Sequence, residues 1–348
     1  MLRTMSVIVR DNLEIRQWKS PCSLRFVTQK CLYKPFVDLY ICFGKSRHFS
    51  ANCPGLSLRW LVGLPYPWHV TSMPTSTRIR VERVRGRDRI VAMESRPPLK
   101  WLPVRDAHAA VAFLSGYGGG AVAGDLPHLD IQVGPGGKFW AGTQAHTRVY
   151  RNPQGIRTGQ ILTGSLEDGA FCAHLPDPVT PQQASVWSQT SRWTLGEGAT
   201  LVVLESHSAG RQGFEPDFSY TRFQSQLEAT GPEGEPLLWE SYGSDPGMVP
   251  PSSAGVMGRY TRLWNLFICS PDPAVAMDAL VAELEAAFDP HAGVREDLAL
   301  SFGRSRSCTW CARALADSAT ALDPLALALR RILADPSRLG TDPLSRRP

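Results

Sequence analysis

Several polar residues interrupt otherwise apolar stretches of this chain, and their donor types suit a metal ion. Asp125 closes the run SGYGGGAVAGD. His146, Thr147 and Arg148 break GTQAHTRVY, Glu205 and His207 end TLVVLESH, and Glu240 lies in LLWES. Carboxylates and imidazoles are costly in an apolar setting unless they are paired, hydrated or metal-bound. Oxygen and nitrogen donors with little thiol suit transient binding of a borderline divalent ion such as nickel. The plain alternative for each residue is that it points to solvent from the outer face of a strand.

Sharper chemistry is missing. Cys308-Thr-Trp-Cys311 has zinc-knuckle or redox spacing, but no second pair follows to complete a structural zinc site. Thioredoxin-like use needs a βαβ setting, so the expectation is two semi-buried cysteines on a strand. There is no G-x-S-x-G and no His-Glu-x-x-His. The glycine run fails as a phosphate loop, because Gly124 is followed by Asp125 and Leu126 where a Lys and a Ser/Thr are needed. Gly116, Gly118 and Ala121 satisfy G-x-G-x-x-A, yet Pro127 and the strand-like alternation from His128 to Val133 leave no helix to receive a pyrophosphate. No nucleotide site is expected.

The elements that position these residues are mostly strands. TRIRVERV (77–84) alternates polar and apolar residues, and AAVAFLSG, HLDIQV, KFWAGT, ILTGSL and TLVVLES follow, each bounded by Gly or Pro. VGPGGK, LEDGAF and LGEGAT repeat an apolar-x-x-Gly-Gly/Ala turn between strands, a form that favours positive φ and turns that stack. The expected fold is mainly β, built of layered antiparallel strand–turn–strand units, a sandwich or a loosely solenoidal stack. Two helices close the chain. Met277, Leu280, Val281, Leu284 and Phe288 form one core-facing stripe after Asp272-Pro273; Leu322, Leu325, Leu329, Ile332 and Leu333 form the second after Asp317-Ser318. The stretch 242–255 reads as a loop or hinge, and the closing DPSRLGTDPLSRRP (335–348) as frayed, with 336–348 taken as the tail.

Charge divides the chain unevenly. Residues 1–72 carry ten Lys/Arg against three Asp/Glu, which leaves 27 of 37 and 29 of 32 for the body. The basic balance therefore belongs to the leader, and nucleic acid is not an expected partner. Four of the eight cysteines (Cys22, Cys31, Cys42, Cys53) also lie in the leader. Residues 1–76 read as a basic extension, disordered or, for 1–72, lying upstream of a true start at Met73; an organelle transit peptide is the alternative. With no secretory signal and no apolar run of membrane-spanning length, a reducing cytoplasm and no membrane partner are expected.

GGGAVAGD (118–125), TQAHTRVYR (143–151), HLPDPVTP (174–181), ASVWSQT (184–190) and ESHSAGR (205–211), in this order, resemble the urease accessory protein D family, also called UreH. The likeness runs from about residue 77 to residue 335. It implies an elongated β-rich, non-enzymatic chaperone with two helices, which binds urease apoprotein and the accessory proteins F and G. It further implies a part in the path of nickel to the urease active site, with GTP hydrolysed by the G partner and no permanent cofactor. Asp125, His146, Thr147, Glu205 and Glu240 then become stations for nickel in transit. The chain departs from the family pattern at Arg148, at Glu215-Pro216, and at Cys308 and Trp310. Two other readings compete: a metal-dependent hydrolase using Asp125, His146, Glu205 and His207, and a sugar- or protein-binding module using Trp140, Trp187 and Trp193.

Overall fold

The computed structural model describes residues 76–104, 108–271, 275–306, 308–340 and 342. The basic leader, its four cysteines and the Asp272-Pro273 start signal lie outside the described residues. The description begins with a hairpin, β1 (Thr77–Val84) and β2 (Arg87–Glu94), then β3 (Leu99–Val104) and β4 (Ala110–Gly116). Three layers follow. The first joins β5 (His128–Val133) to β6 (Lys138–Thr143) and the short β7 (Thr147–Val149); the second joins β8 (Gly159–Leu166) to β9 (Phe171–Leu175) and the short β10 (Val179–Pro181); the third joins β11 (Val186–Leu195) to β12 (Thr200–Ser208). After these come β13 (Arg222–Thr230), β14 (Pro236–Ser244), β15 (Arg262–Cys269) and helix α1 (Val275–Phe288). The chain ends with β16 (Gly293–Val294), β17 (Leu298–Arg306), β18 (Thr309–Ala316) and helix α2 (Asp323–Leu333).

Each layer places its first strand in one sheet and its second in the other. The first sheet has the order β14-β13-β11-β8-β5-β1-β2; the main path of the second is β16-β17-β18-β15-β12-β9-β6-β4-β3. The mainly β, layered character and the two C-terminal helices are as the sequence suggests. The pairing within the stack is not. Successive layers pair in parallel, β5 with β8, β8 with β11, β6 with β9 and β9 with β12, and antiparallel pairing is confined to the flanks. The reason is that the two arms of one unit never pair with each other. The turn carries the chain between sheets, so each strand meets its copy from the next layer running in the same sense.

The repeated glycines do what their spacing suggests. Gly136, Gly169 and Gly198 have φ of 60°, 65° and 63°, and the turns are tied layer to layer: Gly136 N–H donates to Asp168 O at 2.9 Å and Gly169 N–H to Glu197 O at 2.8 Å. In the glycine run, the approaching group is a strand. A Cβ on Gly120 would stand 2.6 Å from Arg148 O, and Ala121 exchanges backbone bonds with Arg148 and Tyr150 on either side of Val149.

One apolar core fills the space between the sheets, with Leu129, Ile131, Leu162, Trp193, Leu227 and Phe267 at its centre. A second lies between the outer face of the second sheet and the helices. It takes in Met277, Leu280, Val281, Leu284 and Phe288 of α1, and Leu325, Leu329 and Leu333 of α2. The expected fraying of the tail does not extend through its described residues. Leu339 is buried in that second core, Arg338 makes a two-pronged pair with Glu283 at 2.6 and 3.0 Å, and Arg330 pairs with Asp342. Among the described residues no helix is long and apolar enough to cross a membrane.

Candidate functional site

The apolar packing between the sheets is interrupted by a polar seam. On the second sheet, β12, β15 and β18 are adjacent and bring Glu205, Asn265 and Arg313 into one register row. Alternation aims this row inward, because Val203 two residues before Glu205 and Phe267 two after Asn265 belong to the inter-sheet core. From the first sheet, Gln189 on β11 and Ser225 on β13 donate to Glu205 Oε1 at 3.2 and 2.8 Å, and Gln189 also donates to Ser225 Oγ at 3.0 Å. Glu240 on β14 reaches across to Arg313, accepting from both terminal nitrogens at 2.9 and 2.8 Å. This is a fork-to-fork pair with both side chains largely out of water, the geometry in which an ion pair joins two sheets firmly.

Burial sets the electrostatics. Burial pushes the Glu205 carboxyl up to about 6, against the pull of Ser225, Gln189 and the more distant Arg313; the nearby Glu240 charge pushes the same way as burial. His174, on β9 beside Val203, is held down at about 4 by burial, and its Nδ1 has no hydrogen-bond partner among the described residues. Asn265 is buried as well, and its Oδ1 is likewise unpartnered. A cavity of about 40 Å³ opens beside Glu205. Its walls include Thr147, Gln160, His174, Asp177, Gln189 and Glu205. That is room for about three water molecules, with Asp177 fixed by Thr143, whose hydroxyl donates to its carboxylate at 3.0 Å.

Of the residues singled out from the sequence, Thr147 and Glu205 share this cavity, and Glu240 joins the seam through Arg313. Two do not reach it. Asp125 closes its own surface turn: Oδ2 accepts from Val122 N–H at 2.8 Å, the usual use of a short carboxylate after a glycine run. His146 is exposed, with Nδ1 3.4 Å from Thr180 Oγ1. The hydrolase constellation is therefore not assembled. His207, its remaining member, is buried and stacked on Phe223 with centroids 4.4 Å apart, and burial lowers its pKa to about 3. No group of three or more His, Cys, Asp or Glu among the described residues could hold a metal. The aromatic binding module fails too, since Trp140, Trp187 and Trp193 are all buried in cores.

The departures acquire local explanations. Arg148 is exposed on β7, and its carbonyl rather than its side chain holds the glycine run. Glu215 pins its loop by accepting from Gln183 N–H at 2.6 Å and by pairing with Arg211. Cys308 and Cys311 are partly buried cysteines packed against the inter-sheet core.

Fold and seam together define a class: a layered β protein whose two sheets are joined by a buried polar seam, in which Gln189 and Ser225 meet Glu205 and Glu240 meets Arg313. The chain belongs to the family described as UreD urease accessory protein, whose model matches residues 74–348. It is 25% identical to the urease accessory protein UreD of Cytophaga hutchinsonii over 280 residues, 78% of this chain and 98% of that one. The UreD of Sorangium cellulosum is 32% identical over 58% of this chain and 63% of its own length. Urease accessory protein D of rice, Oryza sativa subsp. indica, is 30% identical over 47% and 55%.

Proposed function

We propose that this chain is a non-catalytic accessory protein of urease maturation, a cytoplasmic scaffold that holds urease apoprotein together with the accessory proteins F and G while nickel passes through the seam. The observation that carries the reading is the composition of that seam. Thr147, Asp177, Gln189 and Glu205 bring side-chain oxygens to one small cavity, Glu240 stands in the same seam with both its oxygens on Arg313, and no three-ligand cluster occurs among the described residues. A site of three or more strong donors would keep a borderline ion; single oxygens in series let it move on. The cavity is too small for a fully hydrated ion, so nickel would enter with most of its water shed and the seam oxygens standing in. Asp125 and His146 have no part in this path.

The test is co-expression of urease with its accessory proteins, measuring nickel content and pull-down yield for Glu205→Ala, Glu240→Ala and the double variant. Nickel loading should fall more than complex formation, most in the double variant. Normal loading in all three refutes the path. Loading and pull-down that collapse together assign these carboxylates to the fold or the interface.

A further inference from the structure

The hairpin at the edge of the first sheet carries the sequence VRGRDRIV (84–91), with Arg83 just before it. Its two-residue turn is Arg85-Gly86, with φ of 50° and 75°. Mirror-image turns of this kind normally take Asn, Asp or Gly at the first position, and an arginine there is held against its own backbone preference. Arg83, Arg85, Arg87 and Arg89 are all exposed. Arg83 pairs with the buried Asp88 at 3.6 Å. Arg85, Arg87 and Arg89 make no ion pair among the described residues, and Glu82, which stands opposite Arg89, is turned to Arg80 instead.

β2 is also an edge strand among the described residues. Among the described residues its one hydrogen-bonded neighbour is β1. Two large apolar side chains lie on it in the open, Val91 at 50% and Met93 at 44% exposure. Val91 is the extra residue of a bulge opposite the Arg80–Val81 step, which discourages β2 from pairing with its own copy. Charge on an edge strand rejects cationic and uncharged strands, but it admits one of opposite charge. The neighbouring turns argue against a long polyanion. Beyond the carboxylate-free turn Gly134–Gly137, Glu167 and Asp168 stand in the second turn along the same end of the stack and Glu197 in the third, the layers being about 5 Å apart. A nucleic acid laid along that end would run from the arginines onto carboxylates.

We infer that β2 is the docking edge for an acidic, extended segment of a partner protein, which adds to the first sheet as an eighth strand. Its carboxylates meet Arg85, Arg87 and Arg89, and its apolar side chains cover Val91 and Met93. Backbone bonds to the open edge supply affinity and the arginines supply selection. This goes beyond the nickel path and stands or falls apart from it.

The experiment uses the full chain and a capped, labelled peptide that alternates glutamate with valine over the length of β2. Binding should weaken as salt is raised, and amide exchange should slow over residues 87–94 on peptide addition. Arg87→Glu/Arg89→Glu should cost about tenfold or more in affinity, while Arg87→Lys/Arg89→Lys stays within about threefold of the parent. Any of four results overturns the inference: no binding, equal binding by the charge-reversed variant, tighter binding of an RNA oligonucleotide of equal charge, or exchange over 87–94 already slow without peptide. The last would mean that the edge is occupied by this chain or by a second copy.

Discussion

Replacing Glu205 by Gln should make the protein more stable at neutral pH, even though it alters a residue of the proposed path. Burial raises the Glu205 carboxyl from 4.5 to about 6. The folded state therefore holds this proton more tightly than the unfolded chain does. Stability is full below about pH 4.5, is lost as pH rises toward the folded value, and stays reduced above it. The displacement corresponds to about 2 kcal/mol. A glutamine keeps an oxygen for the Ser225 hydroxyl and the Gln189 amide but carries no charge to desolvate. Urea denaturation of parent and Glu205→Gln between pH 4.5 and 8 should give curves that meet at the acid end and separate to about 2 kcal/mol above pH 7. The melting temperature should differ there by about 5 °C. A variant that is less stable at pH 7.5, or a difference that does not change with pH, would show that Glu205 is neutralised by partners and not strained by burial.

The Glu240–Arg313 pair should behave oppositely. Glu240→Ala takes both carboxylate oxygens from a largely buried guanidinium and should cost about 3 kcal/mol, and Arg313→Met in the same chain should restore more than half, read by urea denaturation of the single and double variants. Thiol labelling followed by peptide mass mapping should modify Cys308 and Cys311 in the native protein well before Cys172 and Cys269. The latter two are fully buried and their thiols are pushed up, Cys269 to about 12; equal labelling of all four would contradict the packing.

How much of this is legible in the sequence depends on the range of the interaction. The stacked turns are local, so three glycines in like positions announce them, and the α1 and α2 stripes are read by their spacing. Strand direction is not local: nothing within ILTGSL or TLVVLES says that each pairs with its copy about thirty residues away, so parallel layers are hidden. The seam is half visible. Glu205 and Glu240 break apolar runs, whereas Arg313, in TWCARALA, reads as an ordinary outward arginine. Its partner lies 73 residues earlier and on the other sheet. Asn265 and Ser225 carry no sequence signal at all. Asp125 is ambiguous in sequence because a carboxylate after glycines serves a turn and an ion equally well; in the structure its Oδ2 accepts from Val122 N–H within the turn.

The tied turns also bear on how relatives of this chain can differ in length. Between β5 and β6, β8 and β9, and β11 and β12, each turn has a fixed number of residues, and its backbone is bonded to the turn above or below. An inserted residue there would break two layers at once. The connections after β4, β7 and β12 lie at the other end of the stack and run longer, so they can absorb insertions with little cost to the ladders. Aligned relatives should therefore keep one rim of the protein at constant length and concentrate their gaps on the opposite rim, where species-specific fit to a partner can evolve without disturbing the seam.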